Sequence, residues 1–146
     1  MAGAVKMSLA EVTEFLEREF PQGFARDRGR RIEAVGPGTA RVRQLATDEH
    51  LRPGGTVSGP TMMALCDATI YVAILAAVGP VALAVTTNLS INFLKKPAPG
   101  DLIADCRMLK LGKRLAVGEV AVRSAEAAED DLVAHCVATY SIPPDR

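Results

Sequence analysis

A single carboxylate inside an apolar stretch is the residue of this chain with the clearest chemical potential. Asp67 is the only charged residue between residues 61 and 78, where nearly every other side chain is apolar. A buried, isolated carboxylate is costly unless it is protonated, paired or hydrogen-bonded, and such groups are common at functional sites. A purely structural hydrogen bond is the alternative. Asp67 is therefore a candidate general base or nucleophile.

The segment before this stretch supplies a second chemical feature. Residues 52–60 have the sequence RPGGTVSGP and lead into a predicted helix. The first backbone N–H groups of a helix are unpaired and carry a partial positive charge, so they can hold an anion or polarise a carbonyl group. Small residues let a ligand approach that backbone closely. The alternative is an ordinary capped helix, with Ser58 or Gly59 as the N-cap.

The elements that position these groups follow from hydrophobic periodicity. A capping box at Ser8 and Glu11 starts a short amphipathic helix over residues 9–19, which Pro21 closes. A β-hairpin turns at residues 36–38, and residues 50–60 form a loop. Residues 61–78 form a helix that is apolar on every side and therefore buried. Four strands follow as a meander, at residues 82–94, 101–111, 114–125 and 131–142.

This order predicts an α+β fold, in which a long central helix is wrapped by a curved antiparallel sheet of about six strands. One 146-residue chain of this kind makes a single domain, residues 1–146. One small sheet covers only part of a helix that is apolar all round. A second copy of the chain could cover the remaining apolar surface of the helix, so we expect a homo-oligomer.

Composition excludes several classes of protein. Lys+Arg and Asp+Glu both number 17, Trp is absent and aromatic residues make up 4%. A neutral chain without stacking residues is a poor candidate for binding nucleic acid or an anionic membrane surface. Three cysteines without a CxxC pair predict neither disulfides nor a zinc site, and no other metal site is expected. Buried free thiols are the favoured interpretation; a nucleophilic Cys66 is the alternative and would need a nearby histidine.

The hydropathy pattern predicts no membrane span, because Gly79 and Pro80 divide the uncharged stretch over residues 68–87. The first residues carry charges before any long apolar run, so no signal peptide is expected. Together with the unpaired thiols, this predicts a cytoplasmic protein.

Four runs of sequence resemble a known family. Residues 55–67, GTVSGPTMMALCD, resemble the signature of the PaaI-like hotdog-fold acyl-CoA thioesterases, in which G-x-x-H-G-G-x-x-x-x-L-x-D opens the central helix. Residues 85–101, VTTNLSINFLKKPAPGD, are similar to the next strand and turn of that family. Residues 111–114 and 132–140 match its last strands, so the resemblance covers about residues 30–142.

The resemblance implies a hotdog fold and hydrolysis of an acyl-CoA thioester. It implies that the Gly59 N–H polarises the thioester carbonyl, that Asp67 of the other protomer activates water or attacks directly, and that Thr86 helps to position the water. It also implies a dimer with the active site at its interface, commonly paired into a homotetramer. No cofactor is implied, since CoA is part of the substrate.

Three positions depart from the family pattern. Ser58 replaces its His, Pro60 replaces its second Gly, and Arg52 replaces an Asn. Pro60 removes one N–H donor, and Arg52 introduces a fixed cation that could pair with Asp67 or bind an anionic acyl group. We therefore expect these three residues to contact the substrate. The pocket wall is expected to include Met63 and Tyr71, and the CoA phosphates are expected near Lys95, Lys113 and Arg114, although solvated surface charge would explain these cations as well.

Two other functions remain open from the sequence. The lost His and the added Arg52 favour a non-catalytic acyl-CoA or acyl-carrier binding protein on the same scaffold. A hotdog dehydratase is a weaker alternative, because such enzymes use a catalytic His and neither His50 nor His135 matches that position.

Overall fold

The structure, a computed structural model, describes residues 5–24, 29–47 and 50–144. Its helices and strands, in chain order, are α1 (Leu9–Glu19), α2 (Pro21–Phe24), β1 (Arg30–Gly36), β2 (Thr39–Gln44), β3 (Leu51–Arg52), β4 (Thr56–Val57), α3 (Gly59–Val78), β5 (Val85–Phe93), β6 (Leu102–Leu111), β7 (Leu115–Ser124) and β8 (Leu132–Ser141). The predicted single domain over residues 1–146 extends beyond the described residues and stays a prediction.

Helix α1 has the predicted bounds and the predicted cap. The Ser8 hydroxyl accepts a hydrogen bond from the Glu11 N–H, and the Glu11 carboxylate accepts one from the Ser8 N–H. Its apolar face buries Val12, Phe15 and Leu16. Helix α1 ends at Glu19, before Pro21, as predicted. Pro21 also begins a separate short helix, α2, because proline is compatible with the first turn of a helix.

The main sheet has six antiparallel strands in the order β1-β2-β6-β7-β8-β5, which confirms the predicted fold class. The prediction of a four-strand meander is wrong in one respect. A meander would pair β5 with β6, but β6 already has β2 on one side and β7 on the other. Strand β5 pairs instead with β8, on the side that β7 does not occupy. Strand β5 thereby becomes an edge of the sheet.

The predicted loop over residues 50–60 contains a second, much smaller sheet. Strands β3 and β4 pair antiparallel, with Leu51 opposite Val57 and Arg52 opposite Thr56. Two-residue strands are too short to produce an alternating pattern that sequence analysis can detect. The ribbon holds the chain in a defined path directly before α3.

Helix α3 is the central helix and is packed against the main sheet. Its sequence is apolar on all sides, and residues 68–76 are all buried. By length and composition it could cross a membrane, with a mean hydropathy of 1.9 over an 18-residue window. However, 67% of that window is buried within the fold, as expected of a core helix. The helix begins two residues earlier than predicted, at Gly59.

The sheet edge at β5 carries exposed apolar side chains at both of its ends, while the exposed residues in the middle of the strand are polar. Leu83, Val85, Phe93 and Leu94 are each about half exposed or more, at 77%, 55%, 49% and 56%. Strand edges with unpaired backbone groups readily pair with another chain. This edge is a surface to which a second copy of the chain could bind.

Candidate functional site

The Asp67 carboxylate is held by two hydroxyl groups from the sheet. The Thr86 hydroxyl donates to Asp67 Oδ1 at 2.5 Å, and the Tyr140 hydroxyl donates to the same oxygen at 2.7 Å. The Tyr140 hydroxyl also lies 3.0 Å from the Asp67 carbonyl oxygen. Within the described part of the chain, no residue donates a hydrogen bond to Oδ2. One carboxylate oxygen is therefore fixed while the other is available to a water or a substrate.

The register of two strands brings both donors to the same carboxylate oxygen. Thr86 on β5 lies directly opposite Tyr140 on β8, so the two side chains emerge side by side on the face that packs against α3. The β5–β8 register shifts between Thr86 and Asn88. Such a bulge redirects a side chain at a sheet edge, and it lies next to Thr86. The fold thus positions the two hydroxyls independently of any ligand.

A cavity of about 390 Å³ opens beside Asp67. Its walls come from the end of α1, from α3, and from the segment around the start of β5; they are Glu19, Phe20, Asp67, Tyr71, Ala82, Ala84, Val85, Thr86 and Tyr140. The Tyr71 and Tyr140 rings are stacked, with centroids 6.1 Å apart, and Phe20 meets Tyr71 edge-on at 6.4 Å. A largely apolar, aromatic wall with two carboxylates, those of Glu19 and Asp67, is typical of a small-molecule site.

Both tyrosines of this wall stay protonated. Burial raises the pKa of Tyr140 far above its ordinary value, and the neighbouring Asp67 charge adds to the effect. Burial also raises the pKa of Tyr71, whose hydroxyl donates to the Ala82 carbonyl at 2.9 Å. Tyr140 therefore acts as a hydrogen-bond donor to Asp67, not as a base.

The start of α3 forms a second, separate feature. Ser58 is the N-cap, and its hydroxyl accepts from the Thr61 N–H at 3.3 Å and donates to the Thr61 hydroxyl at 2.9 Å. The ordinary capped helix that the sequence allowed is therefore present. Gly59 and Pro60 occupy the first two helical positions, and no described residue accepts a hydrogen bond from the Gly59 N–H. That N–H remains available to a substrate oxygen at the positive end of a 20-residue helix.

Gly59 opens into its own cavity, of about 400 Å³. The lining residues are Arg52, Thr56, Val57, Gly59, Met62, Phe93, Lys95, Lys96 and Pro97. The Phe93 ring is so close that a Cβ atom built on Gly59 would lie 3.4 Å from it. A glycine here leaves room between the helix start and the ring. Arg52 belongs to this cavity and not to the one beside Asp67.

The two cavities are separate features of one chain. Gly59 and Asp67 are eight residues apart on α3, a rise of about 12 Å at 1.5 Å per residue. No ion pair joins Arg52 to Asp67 within the described residues, so the pairing considered from the sequence is not formed inside one chain. A thioester carbonyl on the Gly59 N–H could not also meet Asp67 of the same protomer.

The remaining predicted contacts are distributed over the surface. Lys95 makes an ion pair with Asp131, and Met63 is 42% exposed outside both cavities. Lys113 and Arg114 lie in the exposed turn between β6 and β7, while Lys95 follows β5. Leu115, which directly follows the turn, pairs with Ser141 at one end of β8. Phe93, which lies two residues before Lys95, pairs with Ala134 near the other end. The turn and Lys95 therefore lie at opposite ends of β8. One chain therefore does not bring these cations together.

The cysteines and histidines do not form a catalytic pair in the described chain. All three cysteines are free and buried. Contact with the Cys136 thiol and burial raise the pKa of Cys66 far above its ordinary value, and burial raises the pKa of Cys106 to about 12. His135 contacts Glu119, and His50 contacts Thr47. In the ranges the structure describes, no group of His, Cys, Asp and Glu is arranged to hold a metal ion.

Sequence analysis missed Tyr140, Thr56 and the contribution of α1 through Glu19 and Phe20. Tyr140 could have been found, because the chain has only two tyrosines and a buried tyrosine hydroxyl requires a partner. The others depend on how loops and the end of α1 pack, for which the sequence carries no periodic signal.

Comparisons with known proteins agree with this fold. A family model described as the thioesterase superfamily matches residues 54–130, slightly more than half of the chain. A Silicibacter sp. protein assigned as a candidate thioesterase is 42% identical over 96% of this chain and 94% of its own, with a TM-score of 0.86. A search of curated proteins finds no match.

Two more distant structures share the fold. A hypothetical thioesterase from Streptococcus pneumoniae, solved with coenzyme A, is 19% identical over 88% of this chain and 96% of its own, with a TM-score of 0.72. The phenylacetic acid degradation protein PaaI of Thermus thermophilus, in a mutant form, is 24% identical over 89% of this chain and 99% of its own, with a TM-score of 0.66. The predicted resemblance to PaaI-like hotdog thioesterases is confirmed, and the chain belongs to the thioesterase superfamily.

Proposed function

We propose that this protein hydrolyses an acyl-CoA thioester to a free acid and CoA. The observation that carries the proposal is the Asp67 carboxylate beside a cavity: two hydroxyls hold its Oδ1, and no residue that the structure describes donates to its Oδ2. A carboxylate fixed in this way can accept a proton from water or attack a carbonyl carbon without first having to be oriented.

The chemistry needs only groups that the chain supplies. Water attacks the thioester carbon as Asp67 Oδ2 takes its proton, and the Thr86 hydroxyl oxygen can accept a hydrogen bond from the same water. The carbonyl oxygen becomes an oxyanion, which the Gly59 N–H and the positive end of α3 stabilise. Collapse of this intermediate breaks the C–S bond, and the proton returns to the departing CoA sulfur. Direct attack by Asp67 through an anhydride is the alternative route.

This mechanism requires a second copy of the chain. Gly59 and Asp67 of one protomer are about 12 Å apart along α3, too far to act on one carbonyl group. The sheet edge at β5 includes Thr86, carries exposed apolar side chains at both ends and gives the second copy a place to bind. We propose a homodimer paired along β5, in which Asp67 of one protomer faces Gly59 of the other; assembly into a homotetramer stays a prediction.

The CoA portion of the substrate is assigned to exposed cations. Lys113 and Arg114 lie in a solvent-facing turn at the same end of the sheet as Thr86, where a nucleotide could remain outside the cavity. Lys95 is less suited, because its ammonium group is already paired with Asp131. A structure with bound CoA would test these assignments. A metal ion or further cofactor is not part of the proposal, and the cytoplasmic location remains a prediction.

Release of free thiol from a panel of short, medium and aromatic acyl-CoA substrates tests the proposal. Asp67→Asn should lower kcat by about a hundredfold or more, on the scale of a lost general base. Asp105→Asn is the matched control, because it removes a carboxylate whose partner is Arg41 on the sheet surface. Wild-type turnover by the Asp67→Asn protein would contradict the mechanism.

The second function, non-catalytic binding of an acyl-CoA or acyl carrier, has two observations in its favour. Ser58 stands where the family has His and is engaged in capping α3, and Pro60 offers no N–H. This alternative predicts that acyl-CoA raises the melting temperature while no thiol is released.

A further inference from the structure

The cavity at Gly59 contains a buried hydroxyl without a partner. Thr56 is 2% exposed, and its Oγ1 has no hydrogen-bond partner among the described residues. It lines this cavity and the neighbouring one formed around Pro97–Pro99. An unsatisfied buried hydroxyl costs stability, and native proteins retain such groups mostly where they have a purpose. The Thr56 hydroxyl therefore has unused hydrogen-bonding capacity at the wall of this cavity.

The Gly59 cavity is lined by three cations, of which Lys95 is paired with Asp131. Arg52 and Lys96 line the cavity, and within residues 5–24, 29–47 and 50–144 neither forms an ion pair. The Lys96 ammonium lies above Gly54, 3.6 Å from the position of a Cβ atom there. None of the lining residues is a carboxylate. The cavity thus combines two free cations and one free hydroxyl, which together suit a carboxylate or a phosphate.

Apart from Lys95, the rest of the cavity wall is apolar. Val57, Met62, Phe93 and Pro97 line it together with Gly59. A volume of about 400 Å³ is enough for a short chain with a polar end. Apolar walls in a cavity that also holds an oxyanion donor and two cations without an ion pair fit an acyl chain that ends in a negative charge.

We propose that this cavity binds a carboxylate at the far end of the acyl group, so that the preferred substrates are CoA thioesters of short dicarboxylic acids. The inference rests on the proposed function, because it places the thioester carbonyl on the Gly59 N–H. A phosphate of CoA fits less well. The whole pantetheine arm separates the phosphates from the thioester, whereas Gly59 and Arg52 line the same small cavity.

The test compares two substrates of similar length, glutaryl-CoA and hexanoyl-CoA, by the ratio of their kcat/KM values. We expect the wild-type protein to prefer glutaryl-CoA and Arg52→Gln to lower the ratio by about ten- to a hundredfold, because the lost hydrogen bond is charge-assisted. Thr56→Val should lower it by about tenfold and should not lower the melting temperature, since the hydroxyl has no partner to lose. Lys110→Gln, which removes a positive charge outside this cavity, is the control.

A binding measurement separates this inference from the proposed function. Non-hydrolysable thioether analogues of the same two substrates are titrated calorimetrically into the wild-type and Arg52→Gln proteins. Preference for the carboxylate analogue that Arg52→Gln abolishes supports the inference, even if neither substrate is hydrolysed and the proposed function fails. Two results would overturn it: equal affinity for both analogues in the wild-type protein, or an equal loss of affinity for both in Arg52→Gln, which would assign the cation to the CoA phosphates.

Discussion

The contact between Tyr140 and Asp67 gives the most specific prediction of the structure. Tyr140→Phe removes the hydroxyl that donates to Asp67 Oδ1 at 2.7 Å and leaves Thr86 as the only donor to that oxygen among the described residues. The ring itself is 4% exposed and stacked on Tyr71, so phenylalanine fills the same space. The change therefore removes one hydrogen bond and little packing.

The size of the effect follows from the strength of a hydrogen bond to a charged group. Such bonds contribute about 1.5–3 kcal/mol. If the whole amount is lost from the transition state, kcat falls about 10- to 150-fold, at 1.36 kcal/mol for each factor of ten. Tyr140 does not line the Gly59 cavity, and phenylalanine keeps the ring that lines the cavity beside Asp67, so the loss should be in kcat and not in KM.

The assay is thiol release under saturating substrate, with unfolding measured in parallel. Tyr71→Phe is the comparison, because it removes the other hydroxyl of the stacked pair, which donates to the Ala82 carbonyl and not to Asp67. Its kcat should exceed that of Tyr140→Phe. The double variant Tyr140→Phe/Thr86→Val should lose less than the product of the two single effects, since both donors orient one carboxylate. A folded Tyr140→Phe protein with wild-type kcat would refute this reasoning.

Two further predictions concern the reaction route and acid stability. In a single turnover in ¹⁸O-labelled water, a general-base route puts the label in the released acid. If Asp67 instead attacks as a nucleophile and water then hydrolyses the anhydride at the Asp67 carboxyl carbon, the label enters the protein. Mass spectrometry of the acid and of the protein distinguishes the two routes. Hydrogen bonds from His135 and Arg107 lower the pKa of Glu119, so its contribution to stability is present above the ordinary carboxyl pKa and is lost as the pH falls through the lowered value. Glu119→Gln should accordingly lower the free energy of urea unfolding at pH 7, with the difference from wild type shrinking at acid pH; a constant difference would contradict this assignment.

The fold could be predicted from the sequence where periodicity and capping are strong. Ser8 with Glu11 defined α1, and the uninterrupted apolar run before Gly79 defined α3. The pairing of β5 could not be predicted, because strand alternation says which residues face the core but not which strand is the neighbour. The small β3–β4 ribbon was missed because its strands are only two residues long.

The candidate site could be proposed from the sequence because one residue is chemically out of place. Asp67 is a lone carboxylate in an apolar helix, and the resemblance implied Thr86, whose hydroxyl contacts Asp67 in the structure. Tyr140 lies 73 residues away from Asp67 in sequence, and only the β5–β8 register brings it there. Thr56 carried no signal, because an unpaired hydroxyl can be recognised only when its surroundings are known.

The central claim is that each active site combines Gly59 of one protomer with Asp67 of the other. It can be tested by mixing two inactive variants, Asp67→Asn and Gly59→Pro. Proline removes the N–H and suits the first helical position, and the extended backbone of Ser58 is compatible with a following proline. Its ring also takes up space beside Phe93, where a Cβ atom would lie 3.4 Å from the aromatic ring, so we expect this variant to be inactive for both reasons.

A hybrid dimer of the two variants has one site with both changes and one site with neither. Random exchange of protomers at equal concentrations should therefore restore about a quarter of the wild-type activity per protomer. Thiol release is measured after exchange, with mass spectrometry confirming that hybrid dimers have formed. Recovery near that level is the predicted result, and hybrid dimers without any recovered activity would contradict the shared active site.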